Sequence, residues 1–163
     1  MEGVRAGDTG WLGRATLSVD AEWRATGGRW VARTIAGATA GGFALPPQRQ
    51  VRLGGPVTAP GFDFHQFAGR AGVSQRLEWQ RPVPFLPLRL GRFGTVPSVL
   101  TFAPFVTGLW MDAPGTSDHG WRASVGLGVL SFFDQLRIDV ARGGRGGRWT
   151  FGVDLSASLW PIL

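Results

Sequence analysis

The stretch that decides the fold is RWTFGVDLSASLW, residues 148–160. Its apolar side chains fall on every second position from Trp149 to Leu159, and small or polar residues fill the positions between them. Alternation with a period of two predicts a β-strand with one apolar and one polar face. Strands of globular proteins commonly run for about 5–6 residues. A strand of twice that length raises the question of which solvent each face meets.

The same alternation recurs upstream, without exception in RATLSVDAEWR (14–24) and in WRASVGLGV (121–129). Turn signals rich in Gly, Pro, Asp and Ser separate such segments, and no helical period of useful length occurs. The sequence therefore predicts an all-β, antiparallel fold of about seven strands. The predicted strands span residues 14–24, 29–40, 73–81, 97–110, 121–129, 135–142 and 148–160.

The composition limits the classes of function. With 163 residues the chain is one domain or a piece of one. All 17 basic residues are Arg and the net charge is +6, but no basic helix or cluster follows a known nucleic-acid motif, so we predict no nucleic-acid partner. The absence of Cys excludes disulfides and thiolate zinc sites, and only two His are present. We predict no metal and no cofactor.

One connection is unlike the others. Residues 41–72 run for over thirty positions without clean periodicity. Loops of this length are usually functional or disordered. The sequence also has no signal peptide and no run of about 18 apolar residues that would form a membrane helix.

Two solvents can explain the alternating faces. In a soluble β-sandwich or barrel, the apolar faces form a core and the polar faces meet water. In a transmembrane barrel, strands of about 9–11 residues turn their apolar faces to lipid, and aromatic girdles flank the apolar band. The Trp residues near strand ends favour the second, and Trp23, Trp121 and Trp149 are the predicted girdle. The predicted lumen-facing set is Arg76, Glu78, Arg122, Arg137, Asp139, Arg148 and Asp154.

The segment from residue 51 to residue 85 carries a family resemblance. It resembles the C-terminal barrel of BamA/TamA-type outer-membrane proteins, the bacterial surface antigen family, in which a long loop has a Leu-Gly-Gly stretch and a Gly-aromatic tip. A strand with a Glu-x-Arg-type ending follows the loop. Residues 137–156 are similar to the closing hairpin of that family, and the resemblance covers about residues 28–163. The matching residues are Leu53, Gly54, Gly55, Gly61, Phe62, Glu78, Arg81 and Pro82.

The resemblance implies a fold, a location and a role. The expected fold is an antiparallel up-and-down transmembrane β-barrel in the bacterial outer membrane, with residues 41–72 folded back into the lumen. The expected role is assembly of outer-membrane proteins or translocation of polypeptides, with lipid and unfolded outer-membrane proteins as partners. Since seven strands leave two open edges, we expect residues 1–163 to be the C-terminal part of a longer barrel. Its first strands, periplasmic domains and signal peptide would then be absent from this sequence.

One departure from the family pattern keeps alternatives open. Pro60 stands where the family's loop tip has Arg, and FVTGLW (105–110) lacks the acidic residue that the Arg would reach. A passive barrel that anchors an upstream enzyme, such as a patatin-like phospholipase, is therefore a second hypothesis. A soluble β-barrel or sandwich that binds an apolar ligand or a partner is a third.

No group of residues predicts catalysis. Asp63 and His65 lie two positions apart in the loop without a nucleophile motif, and His119 with its neighbouring Asp residues is typical of an exposed turn. The glycine-rich GGRGGR (143–148) lacks the following helix that a phosphate cradle needs. It predicts a hairpin turn, and we expect no enzymatic activity.

Overall fold

A computed structural model describes residues 12–41, 47–89, 91–131 and 134–155. Nine strands and two short 3-10 turns, Pro47–Arg49 and Gly91–Phe93, make up the secondary structure of these ranges. The strands are β1 Leu12–Ala25, β2 Gly28–Gly41, β3 Val51–Leu53, β4 Phe67–Gly69, β5 Ala71–Arg89, β6 Thr95–Asp112, β7 Gly120–Ser131, β8 Leu136–Gly143 and β9 Trp149–Leu155. The predicted all-β fold is confirmed, and no helix in the described ranges is long and apolar enough to cross a membrane.

Seven of these strands form one antiparallel sheet in the order β1-β2-β5-β6-β7-β8-β9. Each strand is bonded to its neighbour along the chain, except where the loop between β2 and β5 intervenes. That loop carries the small β3-β4 hairpin. Strands β5 and β6 extend well beyond the predicted 73–81 and 97–110, pairing as far as Arg89 and Thr95. Of the predicted strand 148–160, residues 156–160 lie outside the described ranges.

The period-two pattern gives the sheet two chemically different faces. We call the face on which the loop packs the inner face, and the opposite one the outer face. On β6, the inner side chains Ala103, Phe105 and Leu109 are buried, whereas the outer side chains Phe102 and Val106 are exposed. The same alternation continues through β7 and β8.

The hydrophobic core lies between the loop and the inner face, because no described segment packs on the outer face. Phe62 and Phe67 of the loop meet edge to face with ring centroids 5.1 Å apart, next to Leu109 and Met111 of β6. These two β6 side chains are at most 1% exposed. The loop thus supplies five of the eight described residues of this core: Val51, Leu53, Ala59, Phe62 and Phe67.

Candidate functional site

Two groups of tryptophan mark the ends of the outer face. At the end where the chain turns within residues 26–27, which we call the short-turn end, Trp23, Trp30 and Trp79 lie side by side on neighbouring strands. At the opposite end, Trp110 lies beside Trp121. The long β2–β5 loop lies at this end, so we call it the long-loop end.

The predicted girdle residues belong to these two groups. Trp23 lies at the short-turn end, while Trp121 and Trp149 lie at the long-loop end. All three side chains are exposed, Trp121 by 71% and Trp149 by 68%. Indole rings left exposed on a regular sheet are typical of membrane–water interfaces, where an apolar ring with one polar N–H is stable.

Between the two tryptophan groups the outer face is apolar. Leu17, Val125, Leu127 and Val153 point outward and are exposed, and no outer-facing side chain of the described strands is charged in this zone. Gln75, a polar residue in this zone, accepts a hydrogen bond from the Thr34 hydroxyl on the adjacent strand. We call this zone the outer band. Exposed apolar surface of this extent is rare in monomeric soluble proteins and marks a membrane or protein contact.

The inner face carries a cluster of four charged side chains, Arg76, Glu78, Arg137 and Asp139. Arg137 donates to Glu78 through Nη1 at 2.9 Å and Nη2 at 2.6 Å, and its Nε donates to Asp139 at 2.9 Å. Arg76 lies 2.9 Å from Glu78 and 3.4 Å from Asp139. The Glu78 side chain is 3% exposed. The two cations and two anions neutralise each other under the loop.

The cluster joins strands that are not neighbours. Glu78 is on β5 and Arg137 is on β8, with β6 and β7 between them. Gly128 on β7 leaves room for this crossing, since a Cβ there would lie 2.8 Å from Arg137 Nη2 and 2.5 Å from Asp139 Oδ1. Because the contact between Glu78 and Arg137 crosses two intervening strands, it requires the sheet to curve at this point. We call the four residues the charge staple.

A cavity of about 290 Å³ opens beside the charge staple. It is bordered by Glu22 of β1 and Asp154 of β9, and by Pro56 and Val57 of the loop. Since six strand spacings of about 4.8 Å separate β1 from β9 along the sheet, a cavity that both border requires the sheet to curl inward around the loop.

The loop tip docks on the β8–β9 hairpin. The Gly61 N–H donates to Thr150 Oγ1 at 2.8 Å, and the Arg148 N–H donates to the Gly61 carbonyl at 2.9 Å. Asp63 forms an ion pair with the Arg148 side chain. A Cβ on Gly61 would collide with the backbone of Gly143. Glycine on both sides therefore allows the two backbones to touch.

The other predicted loop residues are buried around this contact. Leu53 and Phe62 are in the core, and Pro60 is buried next to the tip. Gly54 and Gly55 have φ values of 126° and 85°, which L side chains rarely adopt. Thr58 closes their turn, because its hydroxyl accepts from the Gly54 N–H at 2.8 Å and donates to the Gly54 carbonyl at 2.9 Å.

The remaining members of the predicted lumen-facing set lie outside the charge staple. Arg148 is engaged by the loop, as described above. Arg122 donates to the Ser117 and Trp121 carbonyls and lies 5.7 Å from the Phe67 ring. Asp154 is exposed at the border of the cavity and forms no ion pair within the described ranges.

Sequence reasoning missed the receiving side of the loop contact. GGRGGR is a hairpin turn, and its glycines also accept the loop tip, which nothing in the local pattern indicates. Asp63 binds Arg148 while His65 stacks on Phe64 at 3.8 Å, so the two do not act as an acid–base pair in the structure. His119 lies 3.9 Å from Asp112. Within the described ranges, no group of three His, Asp or Glu could hold a metal ion.

No protein-family model matches the chain, and no curated protein matches it.

Proposed function

We propose that this chain is part of a transmembrane β-barrel of the bacterial outer membrane, with its outer face in lipid and its loop in the lumen. The observation that carries the proposal is the outer band, an exposed apolar zone without charge between two groups of tryptophan. Strands β1 and β2 have 14 residues each and β7 has 12, enough for the approximately 9–11 that a tilted transmembrane strand needs.

The connections give the barrel an orientation. In sequence, residues 26–27, 90–94 and 132–135 separate the strands that are joined at the short-turn end. Residues 42–70, 113–119 and 144–148 separate those joined at the long-loop end. Outer-membrane barrels have short periplasmic turns and longer extracellular loops. The long-loop end therefore faces the cell exterior, and the loop enters the lumen from there.

The open edges determine what is needed to close the barrel. In the described sheet, β1 and β9 are the edge strands, and unpaired backbone groups at an edge are not tolerated in hydrocarbon. Because β1 and β9 are the first and the last of seven successive antiparallel strands, they run in the same direction. Closure with antiparallel pairs alone therefore takes an odd number of further strands. We assign these to the first part of the same protein.

At the level of family, we propose a BamA/TamA-type barrel that assembles outer-membrane proteins or translocates polypeptides. Two observations support this role. The residues that resemble the family's loop are the ones buried at the docking site, and the last hairpin receives the loop tip. The clients would be unfolded outer-membrane proteins.

A passive anchor for an upstream enzyme, such as a patatin-like phospholipase, is the second candidate. One contact favours it: Glu78 is bound by Arg76 and Arg137 of the sheet itself, and Pro60 brings no charge to it. The loop is thus held by contacts that do not involve a loop arginine. An anchor needs only a stable, closed barrel.

Leu127→Arg tests the membrane proposal. Leu127 is 45% exposed in the middle of the outer band, so in a water-soluble protein the change would alter the unfolding free energy by only about 0.5 kcal/mol. In lipid it should cost ~2–4 kcal/mol. The measurement is urea-induced unfolding of the full protein in phosphatidylcholine vesicles. Ser131→Arg, on the same face but at the strand end, is the matched control with a cost of ~0–1 kcal/mol. Equal behaviour of the two variants would refute the proposal.

Depletion of the full protein separates the two roles. If it assembles other barrels, unrelated outer-membrane proteins should accumulate in their unfolded form, whose gel mobility does not change on heating. If it is an anchor, their folding stays normal and only the activity of the attached enzyme leaves the membrane fraction.

A further inference from the structure

The β8–β9 hairpin carries two arginines that lie neither on the inner face nor in the long loop. Arg142 is on the outer face directly opposite Trp149, and Arg145 is at the exposed hairpin tip. Arg148 of the same hairpin is bound by Asp63. Neither Arg142 nor Arg145 forms an ion pair with a described residue; Arg142 donates once, to the Gly147 carbonyl at 3.4 Å.

The position of Arg142 is informative because it places a charge on the outer face at the border of the uncharged outer band. It lies at the level of the tryptophan group of the long-loop end, with Val125 on one neighbouring strand and Trp149 on the other. In the proposed barrel, tryptophan at this level sits among lipid headgroups. The apolar part of an arginine side chain can lie along the barrel while its guanidinium stays in the headgroup layer.

The chemistry of the pair selects its partner. A guanidinium has five N–H donors, and most of those on Arg142 and Arg145 have no acceptor within the described chain. Its planar fork matches phosphate oxygens in a bidentate manner. Basic side chains next to a membrane surface attract anionic lipids. The exposed faces of Trp121 and Trp149 border the same surface and can pack on acyl chains.

We propose that the β8–β9 hairpin binds the phosphate of an anionic lipid headgroup in the leaflet at the long-loop end, through Arg142 and Arg145. This inference rests on the proposed membrane location. The lipid holds the hairpin at the level of the membrane surface, and the same hairpin receives the loop tip on its inner side. Lipid binding and loop docking therefore act on one element from opposite faces.

The test uses the full protein in phosphatidylcholine vesicles with and without a minor fraction of diphosphorylated lipid A. The readout is native mass spectrometry of lipid retained after mild detergent extraction. We expect lipid A to be retained by the unmodified protein. The double variant Arg142→Gln/Arg145→Gln should bind it roughly tenfold or more weakly, from the combined loss of two charges near a membrane surface. Arg52→Gln, at an exposed loop arginine on the inner side, removes one charge, as each of the single variants Arg142→Gln and Arg145→Gln does. Unlike those two, it should leave retention unchanged.

Each outcome has a distinct meaning. Equal retention by the double variant and the unmodified protein overturns the lipid site, whereas insertion into phosphatidylcholine alone still supports the membrane location. If the protein enters neither kind of vesicle, the membrane location itself fails. Equal loss in Arg52→Gln would indicate attraction by net charge and would also overturn the site. Normal insertion of the double variant into phosphatidylcholine shows that it folds.

Discussion

Replacement of Arg137 by Met tests whether the charge staple stabilises the sheet. The carboxylate of Glu78 receives two N–H groups from Arg137, one from Arg76 at 3.1 Å and one from the Gln80 amide. The change to Met keeps the side-chain volume but removes the two donors from a carboxylate that is 3% exposed. Breaking one side of a buried ion pair costs about 3–5 kcal/mol. Since Arg76 and Gln80 remain, we expect a loss of about 3 kcal/mol, the lower end of that range.

The assay is urea-induced unfolding of the full protein in vesicles, followed by tryptophan fluorescence. Arg33→Met is the matched control, because its ion pair with Asp20 is about half-exposed, at 46% and 53%, and such pairs contribute ~0–1 kcal/mol. The double variant Glu78→Gln/Arg137→Met should recover part of the loss, because it no longer buries an unpaired carboxylate. If Arg137→Met and Arg33→Met cost the same, the staple does not stabilise the sheet.

Three further changes address the loop and the buried hydroxyls. Gly61→Ala should speed amide exchange at the β8–β9 hairpin, because the added Cβ collides with the hairpin backbone. Gly108→Ala is the control, since a Cβ there meets open space, and exchange should stay unchanged. Equal effects of the two variants would contradict docking of the loop tip. Asp63→Arg should loosen the loop tip by repelling Arg148 and lower the unfolding free energy by ~1 kcal/mol or less. The double variant Asp63→Arg/Arg148→Asp should restore slow amide exchange, and failure to do so would contradict a role of the ion pair. Thr107→Val should leave the unfolding free energy unchanged or higher by ~1 kcal/mol, because its buried hydroxyl has no hydrogen-bond partner among the described residues. A clear loss in urea-induced unfolding would contradict this.

The all-β fold could be predicted from the local alternation of apolar and polar residues. A period of two assigns each side chain to one face of the sheet without knowledge of the neighbouring strands. For this reason the sequence identified Arg76 and Asp139 as residues of one face. It could not pair Glu78 with Arg137, since that contact depends on strand order and register across two intervening strands. The long extensions of β5 and β6 were also missed, because their prolines and two-sided apolar character hide the alternation.

The loop-docking site was less accessible to prediction. Gly61 and Thr150 are 89 positions apart, and their contact depends on the absence of side chains rather than on a recognisable residue pattern. Because Pro60 stands where the resembled family has Arg, the sequence alone predicts the loss of an anchoring charge at the loop tip. In the structure the ion pair at the tip is formed by the next acidic residue, Asp63, with Arg148.

The docking of the loop tip on the last hairpin has a consequence for the order of folding. Apart from the β2–β5 step, every strand pairs with the next along the chain, so the sheet can grow by local hairpin formation, which is fast. The loop tip has no receptor until Gly143 and Thr150 have been brought together by the final hairpin. Its docking must therefore come late, and in a chain that stops before β9 the loop tip would lack its hydrogen bond to Thr150.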